Sequence, residues 1–431
     1  MDGAIDAWMD AHADELIETA RALVRIPTES HPPTGDEEAG QRFVRARLEE
    51  LGAEVDWFTP DDVPGLRAHP AYFPTINGRE RLFANRPDVV GTFRGSGGGR
   101  SVLFSTHVDT VPAGSGWVEG TPFGGEVKDG RLYGRGSYDT KCALASHLFA
   151  LRCLREQGAD LRGDVIVESV VDEEYGGSHG VLAARLRGYN VDIAINSEPT
   201  HLHVCPAHRG GREAYLRVRG DAGMAFGGEK LADPVLALAR AIIAIKDFDR
   251  TRNRDGAVPA LYRDEPALPF YLNQIGGGGT TYEEAVGTPA ECYLHFWAEV
   301  FEGTTGEDFD RALLARIQQE LDADPDTAGQ RPELIPTIRF LPGSSMPLDH
   351  PALGVLREAY LSLGTMAPRD FRLRGAPFAC DAYIFNLYSP TPAVTLGPGG
   401  GGAHAPDEYV LTADLVDLAK ICARFIWRWC R

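Results

Sequence analysis

The sequence predicts an α/β protein: a larger domain on a mostly parallel sheet, carrying a smaller domain as an insert. Two observations lead there. Before residue 212 the strand-like segments are continuous apolar runs alternating with helical stretches, as in strands covered on both faces by crossover helices. From residue 212 to 346 the order becomes β-α-β-β-α-β, a self-contained ferredoxin-like sandwich, after which the first texture resumes. The expected domains are therefore 1–211 with 347–431, and 212–346. A length of 431 residues also favours more than one core.

Each element has a local reason. "AIDAWMDAHADELIETARALV" repeats with helical period, placing Ile5, Trp8, Leu16, Ala20 and Leu23 near one face. "RPDVVGTF" and "RSVLFST" read as strands joined by the glycine turn of Gly95–Gly99. "YDTKCALASHLFALRCLREQG" is a helix ended by Gly158, "GDVIVESVV" a buried strand, "HGVLAARLRG" a helix and "VDIAINSE" another strand. In the insert, "REAYLRVRG", "LPFYLNQIGG", "AECYLHFWAEV" and "PTIRFLPG" are the strands, and "LADPVLALARAIIAIKDF" and "EDFDRALLARIQQEL" the helices. The chain closes with helix "HPALGVLREAYLSLG", strand "PAVTLGPG" and the amphipathic "TADLVDLAKICARFIWRWC".

Bulk properties narrow the function. A net charge of −19 disfavours nucleic acid and anionic membrane as partners. No run approaches the roughly 20 apolar residues of a membrane span. The acidic N-terminus does not resemble a signal peptide. The seven cysteines show no CxxC spacing and read as reduced packing residues of a cytoplasmic protein.

The informative residues stand at strand ends. His107 and Asp109 follow "VLFS"; Asp139 follows "RLYGRGSY"; Glu173 and Glu174 follow "VIVESVVD"; Glu198 follows "DIAINS"; His404 follows "AVTL" in "GPGGGGAHAPDEYV". In an open α/β sheet the carboxyl ends of the strands share one edge, where ligands bind. Several carboxylates gathered there are costly unless a divalent cation neutralises them. Imidazole with carboxylate suits zinc, cobalt or manganese, and the lack of thiolate argues against a structural zinc knot. Two histidines and three carboxylates suffice for two ions if one carboxylate bridges, the hydrolytic arrangement that activates a water and polarises a carbonyl. A further carboxylate must carry the proton, and the adjacent pair Glu173–Glu174 supplies a candidate.

The stretches "STHVDTVP", "DGRLYGRGSYDTK", "VDEEYGG", "SEPT" and "HAPDEY", in this order, resemble the M20 family of metallopeptidases and amidohydrolases. That family includes acetylornithine deacetylases, succinyl-diaminopimelate desuccinylases, aminoacylases and glutamate carboxypeptidases. The resemblance implies a dinuclear-metal catalytic domain with a lid or dimerisation insert, hence a homodimer. It implies His107, Asp139, Glu174, Glu198 and His404 as ligands of two divalent ions, most simply zinc, with Asp139 bridging. It makes Glu173 the general base, places Asp109 behind His107 to orient the imidazole, leaves Asp381 either a supporting place beneath the site or a purely structural one, and sets the Asp139–Thr140 peptide cis. The activity implied is hydrolysis of an amide bond, N-acyl, N-formyl or dipeptide-like, in a small molecule. His147, His179, His201, His203 and His208 match no ligand position.

The insert departs from the family pattern. Met224 stands where relatives carry a histidine that helps hold the oxyanion, and a thioether cannot donate a hydrogen bond. Glu299 stands near the place of a carboxylate-binding arginine. Two readings follow: an active amidohydrolase with an altered pocket, its oxyanion held by the metal or by Arg209 or Arg212, or a metal-binding paralogue that has lost turnover. Retention of every ligand and of Glu173 favours the enzyme. The charge reversal at Glu299 suggests a substrate whose amine part is neutral or cationic.

Overall fold

A computed structural model describes residues 1–278, 286–365 and 367–431. It divides into two units, one of Met1–His208, Ser344–Ala376 and Cys380–Arg431, the other of Arg209–Gly343 with Pro377–Ala379. The divisions fall a few residues ahead of the expected limits.

Unit 1 is organised by a six-stranded sheet: β1 (Glu54–Phe58), β2 (Asp88–Phe93), β3 (Val102–His107), β4 (Val165–Val170), β5 (Ile193–Asn196) and β6 (Ala393–Thr395). The order is β6-β5-β3-β4-β2-β1. The first four in that order run parallel, and β2 lies antiparallel to both β4 and β1. Every residue of β3, β4 and β5 is buried, which explains why each begins as an apolar run on both faces before its polar end. Helix Cys142–Glu156 is buried almost all round and packs against helix Thr412–Trp429. Register places His107 opposite Val170, and Asn196 opposite Ser105. The segments leaving β3, β4, β5 and β6 therefore emerge along one edge.

Three details differ from the sequence reading, one of them the last insert strand, which is Glu333–Pro336, just ahead of the expected "PTIRFLPG". The glycine turn does not close a hairpin, because β4 lies between β2 and β3. Its glycines instead cross the entry to β4, where a Cβ on Gly95 or Gly99 would come within 2.5 Å of the Arg162–Gly163 backbone. The N-terminal periodic stretch is two helices, Asp2–Ala11 and Ala13–Val24, broken at His12. The His12 ring stacks on Trp8 at 4.0 Å between centroids, and its Nδ1 lies 2.7 Å from the Trp8 carbonyl oxygen. The apolar face continues through the break, with Ile5, Trp8, Leu16, Ala20 and Leu23 all buried.

Unit 2 has strands Gly210–Arg219, Phe270–Gly277, Glu291–Val300 and Glu333–Pro336, and helices Pro234–Asp255 and Gly306–Asp322. Numbered along the unit, the strands lie in the order 2-3-1-4, and every pairing is antiparallel. Leu216, Val218, Leu294 and Phe296 pack with Leu238, Ile245, Leu313 and Ile317 from the helices. Both helix starts are capped: the Asp233 side chain accepts from the N–H groups of Val235 and Leu236, with Pro234 opening the helix, and Thr305 accepts from Asp308.

All seven cysteines are buried, and none is in a disulfide. No described helix is long and apolar enough to cross a membrane.

Candidate metal centre

His107 is the last residue of β3, and its ring is held from behind by the chain that follows. Nδ1 lies 2.9 Å from the Asp109 main-chain oxygen and 3.8 Å from the nearer Asp109 carboxylate oxygen. Orientation of the imidazole was expected from the Asp109 side chain; the backbone carbonyl does it. The Asp109 carboxylate is occupied elsewhere, accepting from the N–H groups of Glu173 at 3.3 Å and Glu174 at 3.2 Å. Asp109 thus joins the turn after β3 to the turn after β4.

With Nδ1 held, Nε2 of His107 faces Asp139 Oδ1 at 3.2 Å and Glu198 Oε2 at 3.7 Å. On the other side of Asp139, Oδ2 lies 3.3 Å from His404 Nε2, which is also 2.8 Å from Glu174 Oε2. The result is two clusters, His107–Asp139–Glu198 and Asp139–Glu174–His404, whose donor atoms lie within 4.8 Å of one another in each and which share Asp139. The remaining oxygens are directed too: Glu174 Oε1 accepts from the Val111 N–H at 3.2 Å and Glu198 Oε1 from the Asn196 amide at 3.3 Å. The Asp139–Thr140 peptide is cis. His404 sits at positive φ, and its side chain is 53% exposed, while the other histidine is buried.

Crowding of acids dominates the electrostatics. Burial, helped by the charge of Glu198, raises Glu173 well above the usual carboxylate range. Burial likewise pushes Glu198 up to about 7 and Asp109 up to about 6. Asp381, beside helix Ala382–Tyr388 and felt by both Glu173 and Glu198, is pushed by burial to about 8. Against its burial, His107 is raised by Asp139 and Glu198; His404 is raised by Glu174 and Asp139. Asp139 is held below its usual range by the two histidines, although burial opposes them. An anionic pocket that draws positive charge to its imidazoles has the character divalent cations require, and the donors are those of a hydrolytic rather than a thiolate site.

The histidines that match no ligand position, and the departures in the insert, are engaged elsewhere or exposed. His147 is buried against Ser197 and Thr106, His179 pairs with Asp172, His201 meets the Tyr138 hydroxyl, and His208 meets Ser344. Met224 is 58% exposed. Glu299 is buried, and its Oε2 accepts from Arg209 Nη1 at 2.8 Å, so the expected charge reversal is cancelled within unit 2. Arg212 is engaged bidentately by Asp310 at 2.9 and 2.7 Å. Neither arginine stands ready as the oxyanion donor the sequence suggested, because each is already occupied by a carboxylate.

Sequence reasoning missed two supports. One is a buried network in which Asp172 Oδ1 accepts from Arg81 at 2.8 Å and Arg86 at 3.4 Å, while Arg86 also binds Glu37. It anchors the start of the Glu173–Glu174 turn. The other is Glu408, buried four residues after His404. The signal for Glu408 was an acid within "HAPDEY", a stretch read only for its histidine.

Fold and clusters together define a class: an open α/β protein with a candidate metal site at the carboxyl edge of its sheet. The chain belongs to peptidase family M20/M25/M40, whose family model matches residues 103–428. It is 25% identical, over 98% of this chain and 96% of the relative, to the N-formyl-4-amino-5-aminomethyl-2-methylpyrimidine deformylase of Bacillus subtilis (strain 168). It is 27% identical, over 80% of this chain and 84% of the relative, to the acetylornithine deacetylase of Proteus mirabilis (strain HI4320). The fold is shared with the di-peptidase Dug1p of Saccharomyces cerevisiae, at a TM-score of 0.76 and 14% identity over 100% of this chain and 98% of that one.

Proposed function

We propose that the protein hydrolyses the amide bond of a small N-formyl or N-acyl amine, giving the free acid and the amine. The observation that carries this reading is the two-sided use of Asp139, whose oxygens face His107 at 3.2 Å and His404 at 3.3 Å, with Glu173 beside the pair and outside both clusters. His107, Asp139 and Glu198 would hold one ion and Asp139, Glu174 and His404 the other, most simply zinc. Two such ions, when bound, acidify water and polarise the amide carbonyl.

The remaining work falls to side chains. Glu173 accepts the proton of the attacking water and returns it to the leaving nitrogen, so that the amine departs uncharged from the tetrahedral species. Asp109 holds the backbone of both glutamates and so keeps the proton carrier beside the reacting centre.

Similarity to a deformylase along nearly the whole chain supports a formyl or other small acyl group. The engagement of Arg209 by Glu299 and of Arg212 by Asp310 supports substrates whose amine part carries no carboxylate. The same reading includes homodimerisation through unit 2, supported by the exposed Tyr271, Leu272 and Ile275 on its edge strand. The test is a panel of matched N-formyl and N-acetyl amines, with and without a carboxylate, scored by amine release from metal-loaded protein. Turnover of the carboxylate-free formyl members supports the assignment. A fully loaded protein that releases no amine from any member overturns it.

A further inference from the structure

Glu408 is fully buried, and its carboxylate accepts four hydrogen bonds from one short loop. Oε1 takes the N–H groups of Tyr138 at 2.9 Å and Asp139 at 3.1 Å. Oε2 takes the N–H of Gly136 at 3.1 Å and Arg135 Nη1 at 2.6 Å. The Gly134 N–H also donates to the Glu408 carbonyl, at 2.9 Å. The loop so gripped ends at Asp139, the carboxylate common to both clusters.

Glu408 also stands at the far end of the loop carrying His404, so its carboxylate ties that segment to the loop ending at Asp139. Immediately after it, Tyr409–Leu411 pairs with Arg131–Tyr133, and immediately before it Asp407 Oδ1 accepts from the N–H groups of Val118 and Glu119. His404 is therefore suspended from a segment whose base is pinned at residues 407–411. One buried carboxylate thus couples two of the three donors of the Asp139–Glu174–His404 cluster. In the His107–Asp139–Glu198 cluster it touches the support of Asp139 alone, because His107 ends β3 and Glu198 follows β5.

We infer that Glu408 is a positioning residue that sets the affinity of the Asp139–Glu174–His404 site and leaves the His107–Asp139–Glu198 site largely independent. A carboxylate behind a ligand fixes where that ligand points, and losing such a support typically weakens metal binding about 10–100-fold. Here the support acts through main-chain N–H groups, so it places the Asp139 backbone. A role in folding alone would not distinguish the two sites. The inference rests on the two-ion reading proposed above.

The experiment is a cobalt(II) titration of the metal-stripped full chain, read by visible absorption and by competition with a chelating dye. The variants are Glu408→Gln, Glu408→Asp and the double variant Glu408→Gln with Arg135→Met, which avoids a lone buried guanidinium. His404→Ala and Glu198→Ala supply the spectra of chains with one or the other cluster broken. For Glu408→Gln and the double variant, the first equivalent should stay within about threefold of the unaltered chain. The second should weaken about tenfold or more, with a one-equivalent spectrum matching that of His404→Ala. Glu408→Asp, which keeps the charge, should recover part of the loss. Equal weakening of both equivalents, no weakening, or a spectrum matching Glu198→Ala overturns the inference. So does failure of all three variants to fold, judged by far-ultraviolet circular dichroism, which would assign Glu408 to folding alone. An unaltered chain that takes up fewer than two equivalents overturns the two-ion reading itself, and this is seen before any variant is compared.

Discussion

The main-chain oxygen of Asp109 lies 2.9 Å from Nδ1 of His107, closer than either oxygen of the Asp109 side chain. The side chain is thereby released to hold the turn that carries Glu173 and Glu174. The two parts of one residue serve different partners, and a substitution separates them. Asp109→Ala keeps the carbonyl and removes the grip on the turn. The expected outcome is a fall of about 10–100-fold in kcat, with binding at the His107 cluster changed far less. Steady-state kinetics beside a metal titration checks it; loss of the His107 cluster in step with kcat would show that the carboxylate orients the imidazole after all.

Removing Glu173 should separate metal binding from turnover. Glu173→Ala is expected to bind the same number of ions as the unaltered chain and to lose about 10²–10⁴ in kcat, the range of a lost general acid–base group. Metal content and kinetics on the same preparation decide it. A variant retaining most of its rate would place the proton carrier elsewhere.

The buried pair of Arg209 and Glu299 makes a stability prediction independent of catalysis. Glu299→Gln removes the carboxylate that faces the Arg209 guanidinium and should destabilise unit 2 by about 3–5 kcal/mol. Replacing both by apolar residues of similar size should recover much of that loss. Denaturant unfolding of the single and double variants measures the difference, and a single variant as stable as the unaltered chain would show that the pair contributes little.

His147 is buried, and burial depresses its imidazole to about 3 from an ordinary value of 6.5. Between those values the unfolded chain binds a proton that the folded chain does not. Stability from this group is therefore present above pH 6.5 and lost as pH falls toward 3, at about 1.4 kcal/mol per pH unit for one proton. Comparing metal-stripped unaltered chain with His147→Asn at pH 7 and pH 5 cancels the titrations the two have in common. The unaltered chain should lose more stability over that interval; equal losses would refute the assignment.

On the edge strand of unit 2, Ile275 is 62% exposed. Ile275→Glu is expected to convert the proposed dimer to monomer with unit 2 still folded, read by sedimentation velocity. A dimer unaffected by the added charge would move the interface away from this strand.

Much of this was legible in the sequence because burial leaves periodic traces. The apolar runs that open β3, β4 and β5 announce strands covered on both faces, and the polar residues at and beyond the strand ends mark the open edge of a parallel sheet. Those grounds offered His107, Asp109, Asp139, Glu173, Glu174, Glu198 and His404; the resemblance to the M20 family implied which five are ligands, and the folded chain gathers those five into two clusters. What the sequence could not decide was every relation set by the path of the chain in space. Strands β2 and β3 are neighbours in sequence, yet β4 lies between them, because strand order follows from crossovers rather than from the turn that links two strands. Glu299 read as an unopposed charge until Arg209, 90 residues away, supplied its partner. The Asp109 carbonyl rather than its carboxylate faces His107, and Glu408 supports Asp139 across 269 positions of sequence. Residue type and periodicity determine which groups are buried and which are offered to the edge. Only tertiary structure decides which buried acceptor meets which donor, since a hydrogen bond depends on a few ångströms of approach and on angle, quantities to which sequence separation is blind.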